Sequence, residues 1–282
     1  MSGAARRCAV LGSPIRHSLS PVLHQAAYEE LGLDWSYEAC EVDVAGLPAF
    51  LDGLDPVWRG LSLTMPLKRA VLPLVDEVGE SARRAGAANT VLLGDGRRVG
   101  HNTDVPGAVE AVRERWTGPL SRAVLLGGGA TAASVVLALA DLGCRGVTLL
   151  VRDDSRAAET VAVAARHPAA PEIEVRRIGG PALTSAASAA DIVVSTIPAA
   201  AQTADVLAVA GQARVAFDVV YDPWPTPLAA QAIDRGQVLV TGLDLLVHQA
   251  VLQVELMTGV ASAPLEVMRQ AGETALAARS LP

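Results

Sequence analysis

The chain has 282 residues, enough for one large domain or two ordinary ones, and its 51% hydrophobic residues can fill a sizeable core. A net charge of -7 argues against a nucleic-acid partner, because such a protein needs a basic face. Three widely spaced cysteines, Cys8, Cys40 and Cys144, form neither a disulfide framework nor a CxxC metal pair, which predicts reduced thiols in a cytoplasmic protein.

Strands and helices alternate through the first part of the chain. Arg7–Leu11 predicts the first strand, and Ser20-Pro21 opens a helix that ends near Gly32, because proline suits the first helical turn after a serine cap. A strand at Trp58–Leu63 leads into the segment that carries Lys68. The remaining predicted elements of this part are a strand at Tyr37–Val42, helices at Leu47–Leu54 and Val71–Val75, a hairpin of Asn89–Leu93 and Arg97–Gly100, and a helix at Val105–Trp116.

From Arg122 onward, apolar strands alternate with alanine-rich helices, which implies a parallel sheet covered on both faces. The predicted strands are Ala123–Leu126, Gly146–Val151, Ile173–Arg176, Asp191–Thr196, Val215–Asp218 and Val238–Thr241, and the predicted helices are Ala130–Leu142, Arg156–Ala165 and Thr226–Arg235. Two last helices, Leu243–Met257 and Ala263–Ala278, are expected to fold back on the first domain. We therefore predict a two-domain α/β protein, with residues 1–104 and 242–282 in one domain and residues 105–241 in the other.

The uncharged segment Ala123–Ala140 is about as long as a short membrane span. It contains three consecutive glycines together with Thr131 and Ser134. A buried strand, a tight turn and a buried helix explain this pattern better than a bilayer does. No membrane segment is predicted.

The glycine turn Gly127-Gly128-Gly129-Ala130-Thr131-Ala132 follows a predicted strand, opens a helix and matches G-x-G-x-x-A. Glycines allow a sharp turn and a close approach to a pyrophosphate, whose charge then lies at the helix N-terminus. A glycine cluster alone would indicate only a strand-to-helix loop. With its flanking elements, it predicts a Rossmann-type dinucleotide domain with residues 127–131 at the phosphates.

The next predicted strand ends at Val151-Arg152-Asp153-Asp154-Ser155-Arg156, where the adenosine ribose is expected. Arg152 and Arg156 can clamp a 2′-phosphate, which favours NADP. Asp153 can instead accept a hydrogen bond from a ribose hydroxyl, which favours NAD, and a solvated loop of mixed charge is the third interpretation. We predict NADP and leave NAD open.

Several polar residues of the first domain are candidates for chemistry. A lysine in an apolar loop, such as Lys68, can exchange a proton with a substrate, and a carboxylate such as Asp104 can hold it. Ser18 and Ser20 can bind a carboxylate beside a helix N-terminus, although their spacing alone favours a simple cap. Gln249 lies in an apolar helix and needs partners, which the core or a ligand can supply. No His, Cys, Asp or Glu cluster has the spacing of metal ligands, so no metal is predicted.

In their order and spacing these segments resemble the shikimate dehydrogenase family over nearly the whole chain. The segments that carry the resemblance are Gly12–Pro21, Ser62–Lys68, Ala87–Thr90, Asn102–Asp104, the glycine turn, Asp218–Leu228 and Gly242–Ala250.

The resemblance implies an NADP-dependent oxidoreductase that reversibly reduces 3-dehydroshikimate to shikimate in aromatic amino-acid biosynthesis, with its active site between the two domains. It also implies a small-molecule substrate and a monomer or homodimer, without a nucleic-acid or membrane partner. Lys68 and Asp104 are expected to form the catalytic pair. The expected substrate-binding residues are Ser18, Ser20, Thr64, Asn89, Tyr221 and Gln249, and Gly242 is expected at the cofactor.

The sequence departs from the family pattern at four places. The usual Asn-Arg-Thr at the ribose is Val151-Arg152-Asp153, which puts the choice of cofactor in question. The usual Ala-Thr-Pro-x-Gly-Met loop is Ser195–Ala201, Ala130 replaces a glycine, and Ser62 replaces an asparagine. Two alternatives follow: an NAD-using quinate/shikimate dehydrogenase, and a non-catalytic NADP-binding sensor.

Overall fold

Two separate sheets organise the chain, which a computed structural model describes over residues 5–178 and 190–279. The first unit extends to Thr103 and resumes at Leu246, and the second comprises Asp104–Leu245. The chain is therefore a two-domain α/β protein, as predicted. The assignment of one domain to a substrate and of the other to a dinucleotide stays a prediction.

The first unit contains a mixed six-stranded sheet in the order β2-β1-β3-β5-β6-β4. Its strands are β1 (Arg6–Gly12), β2 (Trp35–Glu41), β3 (Trp58–Leu63), β4 (Glu77–Val78), β5 (Thr90–Gly94) and β6 (Arg97–His101). Its first helices are α1 (Ser20–Glu30), α2 (Leu47–Asp52), α3 (Leu67–Ala70), a 3₁₀ turn at Leu72–Leu74, and α4 (Glu80–Ala85).

The local pattern of this unit explains most of these elements. β1 is buried from Cys8 to Gly12 and pairs in parallel with β2 and β3, as a strand in the middle of a covered sheet does. β5 and β6 form the predicted antiparallel hairpin. The predicted helix at Val71–Val75 is only a 3₁₀ turn at Leu72–Leu74, because the backbone is already extended at Val75.

The second unit contains six parallel strands in the order β12-β11-β10-β7-β8-β9. They are β7 (Arg122–Leu126), β8 (Gly146–Val151), β9 (Glu172–Arg177), β10 (Ile192–Ser195), β11 (Val215–Asp218) and β12 (Val238–Val240). Over residues 104–178 and 190–245 the helices are α5 (Asp104–Arg115), α6 (Ala130–Asp141), a 3₁₀ turn at Asp154–Arg156, α7 (Ala158–Ala165), a 3₁₀ turn at Ala199–Ala201, α8 (Ala204–Ala210) and α9 (Pro227–Asp234).

This strand order is that of the doubly wound dinucleotide-binding fold, so the Rossmann-type prediction is confirmed. The core of the sheet contains Val124, Leu126, Val193 and Ala216, with Leu228 of α9 packed against it. The neighbours β7 and β10 mark the point at which the strand order reverses, and ligands of such sheets bind at this point.

The last two helices of the described residues are α10 (Gly242–Thr258) and α11 (Leu265–Arg279). The division between the two units falls inside α10. α11 packs against α1 and belongs to the first unit.

No helix in the described part of the chain is both long and apolar enough to cross a bilayer.

Within residues 5–178 and 190–279, no group of three or more His, Cys, Asp or Glu side chains is placed to hold a metal ion.

Candidate active site

The segment that carries Lys68 is held by backbone hydrogen bonds to its neighbours. The Thr64 amide donates to the Leu11 carbonyl at 2.9 Å, and the Ala88 amide donates to the Lys68 carbonyl at 2.7 Å. Lys68 itself lies in α3 and is partly buried. Its backbone is therefore fixed with respect to β1 and to the residues that lead into β5.

Glycine at position 12 lets this segment approach the end of β1. A Cβ atom there would collide with the methyl group of Thr64 and lie 2.9 Å from the Met65 carbonyl oxygen. The Ser13 amide donates to that same carbonyl at 3.1 Å. A larger residue at position 12 would displace the segment that presents Thr64 and Lys68.

Two amide side chains and a hydroxyl form a buried cluster in the first unit. Asn89 accepts from the Thr103 amide at 2.8 Å, and it donates to the Thr103 hydroxyl at 2.9 Å and to the Gln249 side-chain oxygen at 3.2 Å. Gln249 in turn donates to the Leu246 carbonyl at 2.9 Å. Amides and hydroxyls in fixed orientations are suited to recognising the hydroxyls of a small polyol.

Asn102 and Asp104 are the sequence neighbours of Thr103, a member of this cluster. The Asn102 side chain donates to the Ala87 carbonyl at 3.0 Å, so it has a structural role in the loop before β5. Asp104 directly follows Thr103, begins α5 and is buried. Lys68 belongs to the first unit and Asp104 to the second, so their pairing stays a prediction.

The two serines of the N-terminal loop lie at the start of α1. The expected cap at Ser20 is wrong: Leu19 is the N-cap, and Ser20 is the first helical residue. Ser18 supplies the side-chain oxygen instead, since its Oγ accepts from the Ser20 amide at 3.3 Å. Ser20 is buried and Ser18 partly so, and the Ser20 carbonyl accepts from Nδ1 of His24 at 2.9 Å.

The glycine turn of the second unit occupies the reversal point of the sheet. Gly127 has φ +106°, and a Cβ atom there would collide with the Thr196 hydroxyl at the end of β10. Thr196 in turn donates to the Leu126 carbonyl at 2.7 Å. A Cβ at Gly129 would meet no described atom within 4 Å, and no described side chain caps the helix that begins at Ala130. Open space before uncapped helical amides fits a phosphate.

The residues after β8, where the adenosine ribose is expected, include one whose role is explained by local structure. Arg152 is exposed, whereas Asp153 accepts from the Ser155 amide at 3.0 Å and thereby caps a 3₁₀ turn. The Arg156 side chain lies outside the part that the structure describes. Asp153 therefore has a structural role that its sequence position alone does not reveal.

A second buried polar cluster lies at the ends of β10 and β11. Asp218 accepts from the Gln202 amide at 2.7 Å and from the Thr226 hydroxyl at 2.6 Å. Burial raises the pKa of the Asp218 carboxyl, and the hydrogen bonds from Thr226 and Gln202 oppose that rise. The loop between Asp218 and Thr226 carries Tyr221, which is partly buried.

Gly242 lies at the first position of α10 and is buried. A Cβ atom there would lie 2.5 Å from the Val219 carbonyl oxygen. Close packing against the backbone after β11 explains this glycine, and its expected place at the cofactor stays a prediction.

The sequence carries two further signals of this site that the motif patterns do not include. Lys68 is the only lysine among the 23 Lys and Arg residues of the chain. Gln253 lies four residues after Gln249, so both amides share one face of α10. Gln253 is buried, and its side chain contacts Asn89 and Thr90.

Comparisons with known proteins agree with the fold and the site segments. The family model of the shikimate dehydrogenase substrate binding domain matches residues 10–91, and that of the shikimate 5'-dehydrogenase C-terminal domain matches residues 242–271. A shikimate dehydrogenase (NADP(+)) of Moorella thermoacetica is 36% identical over 279 residues, which cover 96% of this chain and 94% of the relative.

Two solved structures extend the likeness to three dimensions. The shikimate dehydrogenase of Mycobacterium tuberculosis is 39% identical with a TM-score of 0.87, over 95% of this chain and 99% of its own. The shikimate 5-dehydrogenase of Thermus thermophilus in complex with NADP(H) and shikimate is 34% identical with a TM-score of 0.80, over 96% and 100% of the two chains. This chain belongs to the shikimate dehydrogenase family.

Proposed function

We propose that this protein is an NADP-dependent shikimate dehydrogenase, which interconverts 3-dehydroshikimate and shikimate in aromatic amino-acid biosynthesis. The observation that carries the proposal is the single lysine, Lys68, among the 23 Lys and Arg residues of the chain. Arginine stays protonated in proteins, whereas an ammonium group can release a proton. A site that needs proton exchange therefore needs its lysine.

Lys68 is the proposed general acid. Reduction of the C3 ketone places negative charge on its oxygen, and the Lys68 ammonium donates a proton to that oxygen. In the opposite direction the neutral amine accepts the proton of the C3 hydroxyl. Asp104 is proposed as the carboxylate that orients the ammonium.

The remaining polar residues are proposed to bind the substrate. The amides of Asn89 and Gln249 and the hydroxyl of Thr64 contact the ring hydroxyls, which fits the hydrogen-bonded Asn89–Gln249 pair. Ser18 and Ser20 hold the carboxylate at the N-terminus of α1, where the helix dipole favours negative charge. Tyr221 is proposed to line the same site.

The residues at the reversal point of the second sheet fit a dinucleotide. Gly127, Gly128, Gly129, Ala130 and Thr131 would hold its pyrophosphate, in line with the open space at Gly129. NADPH, when bound, supplies the hydride for the reduction.

NADP is proposed over NAD because of the charges at the end of β8. Arg152 is exposed and available to a 2′-phosphate, and Arg156 is proposed beside it. Asp153, which would favour NAD, already accepts from the Ser155 amide. The relatives described above include an NADP(+) enzyme and a structure in complex with NADP(H).

One assay tests the proposal. The purified protein is mixed with NADPH and 3-dehydroshikimate, and the loss of NADPH absorbance is followed; we expect turnover, reversed with shikimate and NADP. Faster turnover with NAD and quinate would favour the broader quinate/shikimate dehydrogenase. Binding of NADPH by calorimetry without turnover on either substrate would contradict the proposal and favour the sensor.

The proposed enzyme acts on free small molecules in the cytoplasm, as a monomer or a homodimer. Light scattering of the purified protein decides between these two states. Fractionation of cells tests the compartment.

A further inference from the structure

A chain of buried side chains connects the Asn89–Gln249 pair to the interior of the first unit. The Tyr37 hydroxyl is 2.6 Å from the Ser62 hydroxyl, which is 2.8 Å from the side-chain oxygen of Gln253. The Gln253 amide nitrogen is 3.2 Å from the Asn89 carbonyl oxygen and 2.9 Å from the Thr90 hydroxyl. The Thr90 hydroxyl is 3.0 Å from the side-chain oxygen of Asn89.

The direction of these hydrogen bonds follows from backbone groups, each of which can only donate or only accept. The Asn89 carbonyl can only accept, so Gln253 must present its NH₂ group there and its oxygen to Ser62. Ser62 must then donate to Gln253 and accept from Tyr37. Burial raises the pKa of the Tyr37 phenol, so this hydroxyl keeps its proton.

The hydrogen bonds of Thr90 and Asn89, at the other end of this row of side chains, also have a fixed direction. Thr90 accepts from Gln253 and therefore donates to the side-chain oxygen of Asn89. The Thr103 backbone amide, which can only donate, points to that same oxygen at 2.8 Å. The NH₂ group of Asn89 must therefore face Gln249.

We propose that Gln253 is a positioning residue, which acts through Thr90 and the Asn89 backbone to hold the Asn89 and Gln249 amides in the orientation that recognises the ring hydroxyls of the substrate. The inference rests on the proposed function, since it assigns these amides to substrate binding. Gln253 and Thr90 are 1% and 0% exposed, and Gln253 is proposed to act through its hydrogen bonds to Asn89 and Thr90.

The serine at position 62 is part of the same arrangement. The family pattern has asparagine there, and this chain has Ser62, whose hydroxyl is bonded on one side to Tyr37 and on the other to Gln253. A side chain from α10 thus completes the polar chain across β3 and β5. Unpaired polar groups in this place would be costly, because Ser62, Gln253 and Thr90 are all buried.

The test is the variant Gln253→Glu, which keeps the shape and removes the NH₂ donor. The Thr90 hydroxyl then turns toward the new carboxyl group, and the Asn89 side-chain oxygen loses one donor. Because a buried hydrogen bond is worth roughly 1 kcal/mol or more, and about 1.4 kcal/mol is tenfold in affinity, we expect the KM for 3-dehydroshikimate to rise about tenfold. The KM for NADPH should stay within about twofold of the wild-type value.

A matched control makes the same chemical change in the second unit. Gln237 donates to the Ala210 carbonyl at 3.0 Å and to the Ala213 carbonyl at 2.6 Å, so Gln237→Glu also removes an amide donor from two backbone acceptors. Its effect on stability is measured by thermal unfolding. We expect its KM for 3-dehydroshikimate to equal that of the wild type.

A second variant, Thr90→Val, covers the case in which a buried carboxylate at position 253 prevents folding. Valine has the shape of threonine without the hydroxyl, and we expect the KM for substrate to rise about threefold to fivefold.

Monodeoxy analogues of shikimate supply the second readout. For the analogue that lacks the hydroxyl contacted by Asn89, the variants and the wild type should have equal kcat/KM.

The outcomes separate this inference from the proposed function. A wild-type protein without turnover overturns both. If the wild type is active but Gln253→Glu has the same substrate KM as the control Gln237→Glu, this inference alone is overturned. Where Gln253→Glu does not fold, the same comparison is made with Thr90→Val. An equal loss on every deoxy analogue also overturns it, because that result indicates general damage to the fold.

Discussion

At the scale of single residues, the choice between lysine and arginine is the most informative feature. Arginine forms the described ion pairs on the surface of this protein, such as those of Arg7 with Glu38 and Arg98 with Asp52. Lysine occurs once, in α3. Both residues carry a positive charge, but only the lysine can pass a proton to a substrate and take it back. Charge alone therefore does not explain Lys68.

Replacement of Lys68 by arginine separates charge from proton transfer. We expect Lys68→Arg to keep substrate binding but to lower kcat by about 10²–10⁴-fold, which is the usual contribution of a general acid. Lys68→Ala should lower kcat at least as much and weaken binding as well. Steady-state kinetics with 3-dehydroshikimate measures both, and near-normal turnover of the arginine variant would refute the proton-transfer role.

At the scale of the elements, the start of α10 is joined to the end of α5 through one carboxylate. Thr241 and Asp244 form a capping box: the Thr241 amide donates to Asp244 at 2.9 Å, and the Asp244 amide donates to the Thr241 hydroxyl at 3.0 Å. Arg115, the last residue of α5, binds the same carboxylate through two nitrogens at 2.7 and 3.2 Å. One carboxylate thus stabilises a helix start and joins it to a helix end.

Removal of the guanidinium should destabilise this junction in a pH-dependent way. Burial alone would raise the pKa of Asp244, but the Arg115 and Thr241 hydrogen bonds outweigh it and lower the pKa. Asp244 therefore contributes stability that is present above its unfolded pKa of about 3.9 and is lost as the pH falls through the lower folded value. In Arg115→Met the carboxylate is buried without its cation, and we expect its pKa to be higher than in the wild type.

We expect Arg115→Met to lower the free energy of unfolding by about 1–2 kcal/mol at neutral pH, a value reduced because Arg115 is 41% exposed. The difference from the wild type should shrink below about pH 4, where Asp244 is protonated in the unfolded state. Urea unfolding across this range measures it. The control is Arg113→Met, whose exposed pair with Glu110 should contribute under about 0.5 kcal/mol; equal losses in the two variants would contradict the argument.

At the scale of the whole molecule, one histidine should determine part of the loss of folding stability at acidic pH. His24 is fully buried, stacks on Tyr37 with ring centroids 3.9 Å apart, and donates to the Ser20 carbonyl. Burial lowers its pKa to about 4, against the opposing effect of the Ser20 carbonyl. Between that value and the unfolded pKa of about 6.5, the unfolded chain binds a proton that the folded chain does not. Stability must therefore fall as the pH drops through this window.

The slope from this one group approaches about 1.4 kcal/mol per pH unit within the window. We expect His24→Phe, which keeps an aromatic ring against Tyr37, to remove this part of the slope, although it loses the bond to Ser20. Native-state hydrogen exchange of β1 amides between pH 4.5 and 6.5 measures the stability of the first unit. His101, whose pKa burial also lowers, is present in both proteins and leaves a residual slope. An unchanged slope in the variant would show that His24 is not the cause.

Local patterns were sufficient for the longer elements and for the order in which they appear. Alternating apolar strands and alanine-rich helices after Arg122 predicted the parallel sheet, and the Gly94–Gly96 turn predicted the hairpin of β5 and β6. These features depend on residues within a few positions of one another. The short elements α3, β4, α4 and α8 were not predicted, because stretches of two to seven residues contain too little periodicity.

The sequence by itself determined the fold class, the position of the glycine turn after β7 and the presence of a single lysine. Only the tertiary structure decided which buried polar atoms pair: Asn89 with Gln249, 160 positions away, and Gln253 with Thr90, 163 positions away. The physical reason is that a buried donor must find an acceptor, and folding brings that acceptor from a distant part of the chain.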